Sequence, residues 1–448
     1  MAGDIKQEQE KAHYLGDLQK LGAPGVPETV KQIREVGACK FAETPYPHAK
    51  LEEWRQTNIN EIIRTQFHTL VAPVEHGLSA ADVAPHLLGD GQWTELVFVD
   101  GYFAKDLSTF AALPEGAVAG SLWDALLSTN PVAEEHLNKY LHDRNAFTHL
   151  NNAFLQDGAF VYLPKNSQTE TPIHLVFLTT DKRGANTAAN LRHLIVAGEC
   201  AELTVVESYV SMAGALPYFN NVVVEIVCEA NAKVERHKLV MEGAAGFHLA
   251  TAEVSQQRDS RFESFTLSLQ GKIIRNQLCI ALDGEGAACN LHGLVTNDED
   301  RLVDNAVNVS HSASNCSSRI AYKGVLDGTS KAVFLGKVHV HRDAQKTDSD
   351  QLSQYMLLSE KASIDTKPQL EIYADDVKCT HGATVGAPPE QVIFYFRSRG
   401  MDEATARGML TYGFADEIVC EIGIAPLRDR VDKFVYDKYS PKSKQRQL

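Results

Sequence analysis

Val222-Val-Val-Glu-Ile-Val-Cys-Glu-Ala-Asn-Ala232 sets a short run rich in β-branched residues against a small polar corner that ends in alanine. Valine and isoleucine suit a pleated, buried surface, and the Ala-Asn-Ala segment suits a tight bend. The same corner form recurs at Gly198-Glu-Cys-Ala201, Gly284-Glu-Gly-Ala287 and Ser359-Glu-Lys-Ala362. Further runs lie around these corners, among them Phe160–Leu163, Ile173–Leu178, Leu194–Val196, Leu203–Val206 and Val333–Val340. Their spacing is irregular, so the repeat is loose. A zone of this kind over residues 148–387 leaves two architectures, a parallel β-helix or a large sandwich or barrel. The β-helix is the better expectation. Its strands are short, and the one strong two-residue hairpin signal of the zone, Asp157-Gly158, lies at its start. The open ends of a β-helix need covering, a task the flanking segments can perform.

Residues 1–147 read as a mainly helical domain with one β-hairpin. Tyr14, Leu15, Leu18 and Leu21 fall at helical spacing before Gly22, and Pro27 opens a second helix running to Val36. Asp100-Gly101 stands between two apolar runs in Glu95–Ala104, which signals a two-residue turn. Helix is predicted again from Ser121 to about Leu141. Residues 388–448 form a C-terminal helical domain: one helix from Pro388 stops at Gly400, a second is capped by Asp402, and a third follows Pro426. The polar, basic tail from Ser440 to Leu448 is expected to fray.

The chain has 448 residues and a formal net charge of -15, which argues against a sequence-independent nucleic-acid binder. Its N-terminus lacks the basic-then-apolar order of a signal peptide, and no apolar run is long enough to span a membrane. The cysteines, Cys39, Cys200, Cys228, Cys279, Cys289, Cys316, Cys379 and Cys420, are dispersed and form no C-x-x-C pair. Neither a disulfide framework nor a zinc ribbon is indicated, and a cytoplasmic location follows as the expectation. Cys228, inside an apolar run, reads as a core residue.

The chemistry concentrates in Leu370–Gly386, which holds Asp375, Asp376, Cys379 and His381. On a strand, Cys379 and His381 share one face while Lys378 and Thr380 take the other. Thiolate and imidazole suit iron, zinc or an iron–sulfur cluster, but two donors make half of a tetrahedral site. On residue types alone, a plain strand end with a buried thiol is the simpler account of the residues. His339 and His341 form a second same-face pair, which a half-buried strand also explains; His237, His292 and His311 are isolated. Asp375 with Asp376, and Asp348 with Asp350, are carboxylate pairs that a carbohydrate-active β-helix enzyme would need, or solvated turn residues. No phosphate-binding G-x-x-x-x-G-K-[ST] loop and no G-x-S-x-G elbow occurs.

Ala344–Asp348, Leu357-Leu-Ser359, Ile364-Asp365, Lys367-Pro368, Leu370–Thr384 and Phe394–Gly400 together resemble the SufB/SufD family of the SUF iron–sulfur cluster assembly system. The likeness continues through Glu53-Trp-Arg55, Thr57-Asn58, Asn152–Gly158, Pro164-Lys-Asn166, Val205-Val-Glu207 and Gly284–Ala287. Within the family the pattern is D-type: Cys379-Thr-His-Gly-Ala-Thr384 follows it, and Thr347 stands where B-type subunits usually carry a cysteine. The resemblance implies a mainly β fold, a right-handed parallel β-helix flanked by helical domains. It also implies a non-catalytic scaffold, joined to a SufB-like subunit through the β-helix end near His381 and to a SufC-like ATPase through the C-terminal helices. His381, and with it Cys379, would hold a transient cluster or iron shared with that partner, with no tightly bound cofactor in the isolated chain. No nucleic-acid or membrane partner is implied, and a homodimer is open in isolation. Two other readings stand beside this one: the carbohydrate-active enzyme, and a purely structural partner that contributes no ligand.

Overall fold

Each coil of the chain gives one strand to each of two facing ten-stranded sheets, and successive coils pair in parallel. The computed structural model describes residues 2–22, 25–142, 145–214 and 216–440, and its body is a β-solenoid of about seven turns. Residues 441–448, most of the tail expected to fray, lie outside the described residues. One sheet ends on strand Ser363–Ile372 and the other on strand Lys378–Gly386.

The corners explain why the repeat looks loose. Along one edge a left-handed residue precedes a small buried one in six successive coils: Cys200-Ala201, Asn231-Ala232, Asp259-Ser260, Gly286-Ala287, Asn315-Cys316 and Lys346-Thr347. The bend needs positive φ and leaves room for a small side chain only. Coil length meanwhile varies, from 26 residues between the paired Phe247 and Ile273 to 34 between Phe160 and Leu194. Loops absorb most of the difference, and the parallel register shifts at Val240/Met241, where Met241 pairs with Gln270.

Alternation along each strand sends one set of side chains inward. The interior is largely apolar, with Val222, Val224, Ile226, Val234, Phe262 and Phe334 in one cluster. Tyrosines are seated over glycines of the preceding coil: Tyr322 pairs with Gly293 and Tyr355 with Gly324. A Cβ at Gly324 would lie 2.3 Å from the Tyr355 ring. Arginine, glutamate and lysine side chains also enter the interior, with hydrogen-bond partners there. Arg236 donates through Nε and Nη2 to both oxygens of Glu207, at 2.7 and 2.8 Å, and Lys238 donates to Asn276 Oδ1 at 2.6 Å.

Several strands are longer than their apolar runs. The strand read as Leu194–Val196 spans Thr187–Ala197, because its polar residues are satisfied by neighbours: Arg192 pairs with Glu225 at 2.6 Å and reaches Asn152 at 2.8 Å. The hairpin signal at Asp157-Gly158 is not used as a hairpin. Asp157 instead accepts from Ser121 Oγ at 2.7 Å and from Phe103 N at 2.9 Å, fastening two segments to the first coil. Gly158 is required there, with φ of 155° and with Arg192 O only 1.9 Å from where a Cβ would stand. The single helix expected from Ser121 to Leu141 is two, Leu122–Leu127 and Pro131–His136, since Thr129 takes positive φ and Asn130 caps the second with Pro131 at its start. The Asp100-Gly101 turn forms as expected, with both residues at positive φ.

Strand Thr94–Val99 of that hairpin pairs in parallel with Ile173–Thr179, so the first coils are closed by N-terminal elements. The longer N-terminal helices, Ala2–Leu18 and Glu28–Glu43, pack with Trp54 and Phe147 over the outer face around Phe219 and Phe247. The Trp54, Arg55 and Thr57 stretch fastens this layer: Arg275 lies 3.9 Å over the Trp54 ring, and Thr57 donates to Asp304, which also pairs with Arg275.

The C-terminal helices correct the expectation that flanking helices cap both ends. Glu403–Val419 and Ala425–Tyr439 lie along the side of the solenoid, against Val206, Leu239, Phe265, Leu267, Leu294 and Val325. Those residues form an apolar stripe on the outer face of one sheet, and burying it is what holds the helices there. Arg430 completes the attachment by donating to the carbonyls of Pro85, His86 and Leu87. The last coil is left bare: no residue of Ser363–Ile372 or of Lys378–Gly386 is fully buried, whereas Lys331–Val340 one coil earlier is mostly buried.

Candidate functional site at the open end of the solenoid

Cys379 stands opposite Ser349, and His381 opposite Gln351, on adjacent parallel strands. Ser349, Gln351, Ser353 and Tyr355 face inward and are buried, so the register directs Cys379, His381, Ala383 and Val385 to the interior side as well. Among the described residues no strand follows them. Cys379 is half-buried against the main core, and His381 is exposed. From the other sheet, Ile364, Thr366, Pro368, Leu370 and Ile372 continue the inward columns of Ala332, Phe334, Gly336, Val338 and Val340. The end of the solenoid is therefore a cross-section through a hydrophobic core, with Ile372 39% and Val385 45% exposed.

The two faces of the last strand separate as alternation requires. Thr380 points outward and donates to Asp350, while Cys379 and His381 share the inner side. Burial pushes the Cys379 thiol above its ordinary pKa and the charge of Asp348 adds to this, against a backbone hydrogen bond at Ser349. The protonated thiol is therefore favoured. Among the described residues no three His, Cys, Asp or Glu side chains converge as a metal site. The donor types fit a soft or borderline ion, and their number fits one side of a shared site.

Thr347 occupies the small buried corner position of the last full coil, and its hydroxyl donates to Ala344 O at 2.9 Å. Asp348 pairs with Arg319 at 2.9 Å, and Asp375 and Asp376 are exposed in the final corner. These carboxylates are outer-surface groups, and Asp348 and Asp350 are held by different partners, Arg319 and Thr380. His339 and His341 do meet, with ring centroids 4.4 Å apart; His339 bonds Glu371 at 2.9 Å and His341 bonds Ser310 at 3.0 Å. His237 and His292 stack on the two sides of Phe265, and His311 bonds Ser318 in the interior.

One residue of this end escaped the sequence reading. Gln351 is 1% exposed, and neither amide atom has a hydrogen-bond partner. Its side chain lies across the interior onto Gly336, where a Cβ would come 2.3 Å from Nε2. A lone glutamine in a strand gives no sequence signal of that placement. A paired glycine in the facing strand is visible only once the register is known.

Comparison with known proteins bears on this architecture. The family model described as "SUF system FeS cluster assembly, SufBD core domain" matches residues 177–414, and the "SufBD protein N-terminal region" matches residues 7–175. An iron–sulfur cluster assembly SufBD family protein of Synechocystis is 32% identical, covering 97% of this chain and 98% of its own. The iron–sulfur cluster assembly protein SufD of Escherichia coli is 30% identical over 91% of this chain and 90% of its own. The chloroplastic protein ABCI7 of Arabidopsis thaliana is 29% identical over 91% and 85%. A parallel solenoid with D-type residues in its last coil and matches along nearly its whole length leads to one conclusion: the chain belongs to the SufB/SufD family of iron–sulfur cluster assembly proteins and is SufD-like.

Proposed function

We propose that this chain is a non-catalytic scaffold subunit for cluster assembly, and that its bare solenoid end joins a SufB-like subunit. The observation that carries the reading is the uncovered last coil. Two strands there have a free edge, and the apolar interior columns ending in Ile372 and Val385 stop without a covering layer. An exposed parallel edge is a template for adding another strand, and nature leaves it open where a partner completes it. Full burial of each such aliphatic side chain contributes about 1.5–3 kcal/mol. In the isolated chain a second copy can occupy the same end, which gives a homodimer.

In this reading His381 and Cys379 form one side of a donor set for iron or a nascent cluster, which is cargo, and the SufB-like subunit supplies the other donors. A second surface serves the ATPase. Phe394 and Tyr395, on helix Glu390–Ser398, are 72% and 54% exposed and offer an apolar patch to a SufC-like partner. Nucleotide-driven movement of that partner would open and close the shared end. We assign the chain to the cytoplasm, and no described helix is long and apolar enough to cross a membrane.

The test is co-purification from a cell expressing this chain, tagged, with a SufB-like subunit and a SufC-like ATPase. Ile372→Lys with Val385→Lys should release the SufB-like subunit and retain the ATPase. Phe394→Ala with Tyr395→Ala should do the reverse. Retention of both partners by both variants would show that these surfaces are wrongly assigned.

A further inference from the structure

Between the N-terminal helices and the first coils lies a cavity of about 510 Å³, well away in sequence from the last coil and its donors. Its size falls within the range of sites that hold small organic ligands. Val26, Val71, Phe103 and Trp123 supply apolar walls, and Arg34 and Lys105 bring two cations to the same space. Arg34 belongs to helix Glu28–Glu43 and is half-buried. Its Nε donates to Leu155 O at 2.8 Å, and its guanidinium lies 5.4 Å from the centre of the Trp123 ring.

Among the described residues no carboxylate forms an ion pair with Arg34 or Lys105. The wall carboxylate, Asp157, is already committed to Ser121 Oγ, Phe103 N and Gly158 N, at 2.7, 2.9 and 2.8 Å. Asp124 is exposed and reaches the lining from outside. Burial lowers the Arg34 pKa to about 10, the mark of a guanidinium that has lost water without gaining an anion. A planar fork beside an aromatic face recognises a carboxylate bidentately while the ring receives a flat apolar body. One half-buried guanidinium beside Val26, Val71, Phe103 and Trp123 suits a monoanion with an apolar body better than a phosphate ester.

We propose that this cavity binds a small aromatic carboxylate, its carboxylate on Arg34 with Lys105 at the rim and its ring against Trp123 and Phe103. The site is independent of the solenoid-end reading.

Calorimetric titration of the full chain with naphthalene-2-carboxylate and with naphthalene-2-carboxamide tests it. The carboxylate should bind saturably at one site, and the uncharged amide about tenfold more weakly or worse, the fold-change of losing a charge-assisted hydrogen bond. Arg34→Met keeps the apolar stem and should bring the carboxylate down to the amide's affinity without moving the amide. Lys105→Met, on the exposed rim, should weaken the carboxylate severalfold, and it serves even if Arg34→Met does not fold. Absence of saturable binding to the unaltered chain, equal affinity for the two probes, or carboxylate binding unchanged by both variants would overturn the proposal.

Discussion

Gln351 and His381 are register neighbours on the last two strands of one sheet, yet Gln351 is buried with an unpartnered carboxamide and His381 is exposed. The pair marks where the solenoid stops: the outermost residue of an interior column is open, and the polar group beneath it lacks both hydrogen bonds. A buried amide in that state costs about 1–3 kcal/mol.

Replacing Gln351 by leucine, of similar size, should therefore stabilise the isolated chain by roughly 1–2 kcal/mol. The denaturant midpoint reads this directly. A lower midpoint would mean that the amide is satisfied in solution.

The glycine–tyrosine seats predict position-dependent tolerance. Gly324→Ala would push a Cβ into the Tyr355 ring and should cost roughly 1–3 kcal/mol as overpacking. Gly386→Ala, with nothing within 4 Å, should be nearly neutral in the isolated chain. Equal thermal shifts for the two variants would contradict the packing account.

The interior ion pair should be costly to halve and cheap to replace. Glu207→Ala leaves Arg236 buried without its carboxylate and should destabilise by about 3–5 kcal/mol, whereas Glu207→Leu with Arg236→Met should cost much less. A double-mutant cycle in denaturant measures the coupling, and additive losses would show that the two side chains act separately.

Stability should fall on mild acidification. Burial holds the imidazoles of His193, His248 and His311 down at about 4. The unfolded chain takes up these protons first, so the stability they provide is complete above the ordinary histidine range and is lost as pH drops towards about 4, roughly 3 kcal/mol for each. Asp157, raised to about 6 by burial, works in the opposite direction, as does Asp100, also raised by burial, and the imidazoles outweigh them. Burial disfavours ionised Glu207 but Arg236 outweighs it and holds that carboxyl at about 2, so its own contribution is lost only in stronger acid. A denaturant midpoint that stays level between neutral pH and about pH 4.5 would contradict these assignments.

Much of this was legible in the chain. Val222–Cys228 followed by its Ala-Asn-Ala corner announces a buried strand and a bend, and the parallel solenoid follows from many such units without hairpins. Asp402, Gly400 and Pro426 mark the helix boundaries where the structure has them. What stayed hidden depends on partners distant in sequence. Arg192 lies outside the apolar run Leu194–Val196 until Glu225 and Asn152 are seen beside it, and Asp157-Gly158 looks like a hairpin until Ser121 claims the carboxylate. Cys379 and His381 could be placed on one face by alternation. That this face is the unfinished interior of a solenoid required the side-on packing of the C-terminal helices, which no local pattern encodes.

The central claim is that His381 contributes to iron or cluster binding at a shared end. Its most direct test is iron and acid-labile sulfide measured on the reconstituted complex of this chain with a SufB-like subunit and a SufC-like ATPase, comparing the unaltered chain with His381→Ala. We expect an intact complex in both cases, with iron loading sharply reduced and the iron spectrum altered in the variant. An intact His381→Ala complex that loads iron normally, with an unchanged spectrum, would contradict it.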